Sequence, residues 1–180
     1  IGDGCAVVLG EPASGKSMLA AVLAKRGHAV LSDDMVVFDG ENRLLPGVPC
    51  IKLWSDAIGK LGIDVSTLQR TRPCLEKFYW PVKSSLRDGP LPAHSVYLLR
   101  TSGKDCLYLD NIHGMERFAC LLEYVYRQSY LEATGARSSY LRQCASLAGS
   151  VKMKFLYRKK FLPSAEEMAD LILADAEGRA

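Results

Sequence analysis

The run Cys5-Ala6-Val7-Val8-Leu9 is apolar at every position, the pattern of a strand buried on both faces. It stops at Gly10. From Ser17 to Arg26 the chain becomes rich in Ala and Leu and ends in cations before Gly27, which predicts a helix. His28-Ala29-Val30-Leu31 and Met35-Val36-Val37-Phe38 predict two short strands on either side of Ser32-Asp33-Asp34, the second turning at Asp39-Gly40. Proline and glycine punctuate Leu45 to Pro49, and Cys50-Ile51-Lys52-Leu53-Trp54 resumes as strand. Ser55 and Asp56 are placed to cap a short helix ending near Gly62, and Asp64 to cap another through Gln69.

Thr71 to Pro92 carries four prolines, with room for a strand from Lys77 to Val82 and a loop from Lys83 to Leu91. His94 to Arg100 and Cys106 to Leu109 read as paired strands across Thr101-Ser102-Gly103-Lys104. From Gly114 to Tyr130, Phe118, Leu121, Leu122, Val125 and Tyr126 fall at helical spacing. In this reading Asp110 or Asn111 caps that helix, with His113 at its start. A second helix is predicted from Ser138 to Leu147, a strand from Val151 to Leu156, and a closing helix from Ala165 to Asp175 after Pro163-Ser164. Strands outnumber strict β-α-β crossovers, so the pattern predicts one α/β domain over residues 1–180, a mixed sheet flanked by helices.

Composition narrows the class. The 180 residues are 48% hydrophobic and 24% charged, the balance of an ordinary globular domain with a real core. A net charge of +3 is too small to imply nucleic acid as a partner. The local cluster Lys152, Lys154, Arg158, Lys159 and Lys160 reads as a solvated strand end. Six cysteines stand in no C-x-x-C pair and in no metal spacing with the three histidines, which predicts reduced thiols in the cytoplasm. No apolar run approaches the ~18 residues of a membrane helix, so no membrane partner is expected. The chain starts at Ile1 without methionine, which predicts a fragment lacking upstream residues.

Candidate chemistry begins at Gly10-Glu11-Pro12-Ala13-Ser14-Gly15-Lys16-Ser17, which fits G-x-x-x-x-G-K-[ST] at every fixed position. Strand, glycine loop and helix N-terminus together aim backbone N–H groups and the helix dipole at phosphate. The nucleotide-binding set is therefore Gly10, Pro12, Ala13, Ser14, Gly15, Lys16, Ser17 and Met18. Lys16 faces the β- and γ-phosphates of ATP and the Ser17 hydroxyl faces Mg2+. Asp33-Asp34 ends the next apolar run, where an acid belongs beside the nucleotide. Two adjacent carboxylates allow one to serve the metal while the other orients or deprotonates an incoming hydroxyl. Arg72, Lys77, Lys83, Arg87 and Arg100 are all candidates for a cation at the transferred phosphate, and the sequence does not choose between them. His28, Trp54, Tyr79 and Trp80 read as structural.

Gly10 to Ser17, then Ala24-Lys25-Arg26-Gly27-His28, then Ser32-Asp33-Asp34 resembles the catalytic domain of HPr kinase/phosphorylase over about the first forty residues. The resemblance implies a P-loop-containing sheet of the HPr kinase C-terminal-domain type and ATP-dependent phosphorylation of a serine hydroxyl on a small protein. It also implies hexameric assembly and a histidine upstream of the loop. Matching positions imply Lys16 and Ser17 on phosphate and Mg2+, Asp33 as general base, and Asp34 as a second acid near metal or substrate. The family's E-[IV]-R-G-L-G segment reads here Leu53-Trp54-Ser55-Asp56-Ala57-Ile58-Gly59-Lys60-Leu61-Gly62, with Asp56 in place of the glutamate as a metal ligand and the arginine absent. No counterpart of its R-P-G-R-N segment stands near Arg137 or Arg142. Both departures point away from HPr as substrate and from phosphorylase activity. Pro49 to Trp54 with Leu61-Gly62 looks closer to HPr-kinase-like proteins that phosphorylate lasso precursor peptides on a C-terminal serine. A small-molecule P-loop kinase and a non-catalytic nucleotide-binding regulator are the alternatives.

Overall fold

In the computed structural model, five consecutive residues, Ser95 to Leu99, are buried within one long strand, Leu91–Thr101. Such a run needs cover on both faces of its sheet, and the chain supplies it. The structure describes residues 4–82, 89–103, 106–125, 128–159 and 165–178. The elements are β1 (Cys5–Gly10), α1 (Lys16–Lys25), β2 (Arg43–Leu44), β3 (Cys50–Trp54), α2 (Ser55–Lys60), a 3-10 turn (Val65–Thr67) and β4 (Gln69–Arg70). They continue with β5 (Lys77–Pro81), β6 (Leu91–Thr101), β7 (Tyr108–Asn111), α3 (Met115–Glu123), α4 (Gln128–Ala133), α5 (Arg137–Ser150), β8 (Lys152–Arg158) and α6 (Ala165–Ala176).

The main sheet runs β1-β6-β8-β7, with β1 and β8 parallel to β6, β7 antiparallel to β8, and β2 antiparallel to the start of β6. Alternation sorts its side chains into two cores. Tyr97, Leu99 and Leu156 pack with Leu19 and Val22 of α1 and Met168 and Ile172 of α6. Val96, Leu98, Met153 and Phe155 pack on the other face with Cys120 and Leu121 of α3 and Cys144 and Leu147 of α5. The result is a mixed α/β fold with a mostly parallel central sheet between layers of helix. A small antiparallel sheet, β3-β5-β4, adds Ile51, Leu53 and Phe78 to the α1 side. No helix among the described residues is long and apolar enough to cross a membrane. All six cysteines are free thiols.

Several expected elements form otherwise. Residues 28–31 and 35–38 form no strand; the segment makes one isolated bridge, Phe38 to Leu44, and Leu31 O accepts from Gly47 N at 3.0 Å. Four of its apolar residues are satisfied by packing instead, with Val30 joining one core and Leu31, Val36 and Phe38 the other, while Met35 and Val37 stay exposed. β1 ladders with β6 alone among the described residues. A cavity of 360 Å³ lies between β1 and residues 27–36, with Val7, Val30, Val36 and Leu44 in its walls. The expected β6–β7 hairpin is absent, because β8 is inserted between the two strands and pairs with both. The helix expected over 114–130 ends at Tyr124, where φ −106° and ψ 24° leave helical geometry, and chain resumes as α4 at Gln128. Tyr124 and Val125 are poor helix formers, although the apolar spacing continues through Val125. Its N-cap is Gly114, while Asp110 and Asn111 lie in β7. α2 starts after Trp54 with no side-chain cap, so neither Ser55 nor Asp56 caps it. Asp64 does cap its turn, accepting from Ser66 N at 3.0 Å. Lys154 is not a solvated lysine: its ammonium pairs with Asp175, whose other oxygen accepts from Tyr97 Oη at 2.8 Å. Lys83, Arg87, Tyr126, Lys160, Pro163 and Ser164 lie outside the described residues.

Candidate functional site

Gly10 ends β1 beside β6, where an added Cβ would meet Leu99 O at 3.0 Å. Only a glycine lets the loop leave the sheet this closely. Ala13 at φ 60° and Gly15 at φ 102° bend the chain through the left-handed region, so the loop doubles back before α1 begins. Gly15 is the N-cap of α1 and supplies no side chain to it, and the first helical bond is Leu19 N to Gly15 O at 3.0 Å. The N–H groups of the first turn therefore face outward without a capping acceptor.

Lys16 braces this loop. Its ammonium donates to Gly10 O at 2.7 Å and Glu11 O at 2.7 Å, with a longer contact of 3.4 Å to Ser14 Oγ. An ammonium has three protons, and the third is held weakly enough to go to an incoming anion. Desolvation lowers the proton affinity of Lys16 below that of an ordinary lysine; Asp33, Glu11 and Asp34 oppose the shift, and Lys77 adds to it.

Asp33 sits across from Lys16. It is half-buried, Oδ2 accepts from Lys52 N at 2.9 Å, and the Ser17 side chain lies beside its carboxylate. Burial raises its proton affinity above the ordinary carboxylate range, against the Lys52 hydrogen bond and the nearby Ser17 side chain that pull it down, and the neighbouring Asp34 adds to the rise. The exposed Asp34 turns the other way and forms an ion pair with the Lys52 ammonium. Lys52 thus holds both aspartates, one through its backbone and one through its side chain. Of the expected metal ligands, Ser17 and Asp56 line one groove, while Asp34 is engaged by Lys52.

Two cavities meet at Lys16. The smaller, along β1, reaches Ser32 and Asp33. The larger, a groove of 600 Å³, holds Ala13 to Met18 on one wall and faces Lys52, Trp54, Asp56, Lys60 and Lys77. Asp56 stands in this groove from the first turn of α2, on the same cavity as Ser17, and no cluster of three acidic, cysteine or histidine side chains forms a ready metal cage among the described residues. Gly10 and Pro12 shape the loop outside the groove wall.

Among the candidate cations, Lys77 faces the groove. Arg100 is committed elsewhere, 3.4 Å from Glu123 and stacked 4.2 Å from the Phe155 ring, and Arg72 lines neither cavity. His28 lines the smaller cavity at the end of α1, with its N–H bonded to Leu23 O at 3.0 Å. Trp54, read as structural, is 49% exposed and belongs to the groove wall. Lys52 was not legible as a site residue, because its partners lie far away in sequence and nothing local marks it. Set against models of protein families, curated proteins and solved structures, the chain matches none.

Proposed function

We propose that this protein is a Mg2+-dependent ATP:serine phosphotransferase acting on a peptide or small protein, with a phosphate-loop fold of the HPr kinase C-terminal type. The observation that carries the reading is that Asp33, held by Lys52 N at 2.9 Å, and Lys16 of the glycine loop line one cavity. It sets a half-buried carboxylate of raised proton affinity against the first turn of the helix that follows the glycine loop, so a base and a phosphate cradle share one place.

The geometry supports a role for each residue. The loop N–H groups and the third proton of Lys16 take phosphate oxygens. Hard oxygen donors suit Mg2+, and Ser17 Oγ with the Asp56 carboxylate on the same groove supply them. Held there, Mg2+ would supply charge neutralisation at the β- and γ-phosphates. Asp33 accepts the serine proton as the serine oxygen bonds to the γ-phosphorus, and ADP departs with the electron pair of the broken bond. Its raised proton affinity makes it a stronger base than an ordinary carboxylate. Asp34 acts indirectly: by holding the Lys52 ammonium it fixes the backbone N–H that orients Asp33. A homo-hexamer in the cytoplasm belongs to the same reading, and light scattering measures the assembly.

The test is incubation with γ-labelled ATP, Mg2+ and a panel of serine-containing peptides, including peptides with a C-terminal serine. Label on serine with release of ADP is expected. No label on any peptide at saturating nucleotide overturns peptide phosphorylation, and label on a metabolite instead redirects the same site to a small-molecule kinase.

A further inference from the structure

We propose that Lys77 is the second cation of the phosphate site, reaching across the groove to the terminal phosphate of a nucleoside triphosphate. The inference rests on the phosphotransfer reading above.

Lys77 opens β5 directly opposite Trp54 of β3, and its carbonyl accepts from Thr71 N at 2.8 Å. Its backbone is therefore held on both sides, and its side chain enters the groove from the wall facing the loop. Two lysines of the small sheet stand on that wall. Lys52 is neutralised by Asp34. Lys77 forms no ion pair with any described residue, and its ammonium rests 5.8 Å from the centre of the Trp54 ring. The half-exposed indole offers only a weak hold. Lys16 has already given two protons to loop carbonyls. The groove is thus lined by Lys16, Lys52, Lys60 and Lys77 against Asp56 and Glu166, an excess of cations, and the Lys77 charge is felt at both Lys16 and Asp33. An arrangement of that sign favours a polyanion.

The loop backbone takes the inner phosphates, so the phosphate presented to β5 is the outermost one. In the transfer step a bond forms between the serine oxygen and phosphorus, the bridging β–γ oxygen takes the electron pair, and the proton passes to Asp33. Lys77 exchanges no atom; it neutralises charge on the equatorial oxygens of the moving phosphoryl group.

The chain has two tryptophans, so a Trp80→Phe background leaves Trp54 as the fluorescent reporter. In that background MgADP and the Mg2+ complex of β,γ-imido-ATP are titrated against the parent, Lys77→Met, Lys77→Arg and Lys16→Met, with melting temperatures matched. Lys77→Met is expected to weaken the triphosphate analogue by about tenfold or more, to leave ADP within about threefold, and to abolish the Trp54 response to the analogue. Lys77→Arg restores the preference for triphosphate. Equal losses for both nucleotides, or no loss, overturn the role of Lys77. A Lys16→Met variant that binds like the parent, or a parent that binds neither nucleotide, instead sinks the phosphate-site reading on which it rests.

Discussion

Asp33 carries opposed demands that can be measured separately. Burial holds its proton affinity above the ordinary value of 3.8, so ionising it costs folding stability as pH rises from 3.8 through its raised value. Asp33→Asn removes that cost. The variant should melt above the parent at neutral pH, with the gap closing as pH falls below the ordinary carboxylate range; a parent that melts higher at neutral pH refutes the assignment. Phosphoryl transfer by the same variant should fall roughly 10²-fold or more, read in single-turnover assays. The pH profile of kcat/KM should be narrower than unperturbed groups allow. Its acid limb lies above 3.8, where Asp33 loses its proton, and its alkaline limb lies below 10.5, where desolvated Lys16 loses its own. A profile flat out to both ordinary values would remove these residues from the rate-controlling step.

The segment that carries the aspartates has no ladder, so its position depends on close packing against the turn after β2. Gly47 is the contact: an added Cβ would stand 3.0 Å from Leu31 O and from Ser32 Cβ. Gly47→Ala must push residues 31–32 aside, and Asp33 with them. The expected outcome is destabilisation of about 1–3 kcal/mol by denaturant unfolding, with transfer reduced more than nucleotide affinity. Equal losses of rate and affinity would show that the segment moves as one piece with the loop. The same element explains why the strand pattern misleads here. The apolar character of Val30, Leu31 and Val36 records burial, and burial was delivered by the two cores without strand pairing. Likewise Thr101 to Lys104 looks like a hairpin turn, but β8 matches seven residues of β6 in parallel register and takes the place that β7 was expected to fill.

Across the whole molecule, α6 is tied to the sheet through a buried polar triad. Asp175 is 7% exposed and receives both the Lys154 ammonium and the Tyr97 hydroxyl. Burial and the neighbouring carboxylate push the Tyr97 phenol upward, so it stays a neutral donor. Asp175→Asn leaves Lys154 charged and unpaired beneath the helix, and unfolding free energy should drop by about 3 kcal/mol. Replacing Lys154 and Asp175 together by apolar residues of similar size should recover much of that loss; a double variant as unstable as the single one would show that packing, not charge, dominates. At the other end, Arg26 reaches Glu166 and Asp170 of α6, with 2.7 Å to Asp170. The helix that opens at the phosphate loop is thus anchored at its far end.

The sequence alone determined the glycine loop, the helix behind it and the adjacent aspartates, because each depends on neighbours within a few residues: the turn needs glycine, and the helix needs its formers. It also determined which strands are core, since the unbroken apolar runs of β1 and β6 have no other place to go. What only the tertiary structure decided is who faces whom. Asp33 rather than Asp34 lies beside Ser17, Lys52 holds both carboxylates from eighteen and nineteen residues away, and Lys77 rather than Arg72 or Arg100 looks into the groove. Those contacts come from a second sheet folding back onto α1, a long-range event driven by burial of Ile51, Leu53 and Phe78. Burial constrains the apolar side of such strands, and the charged side chains on them take their positions as a consequence.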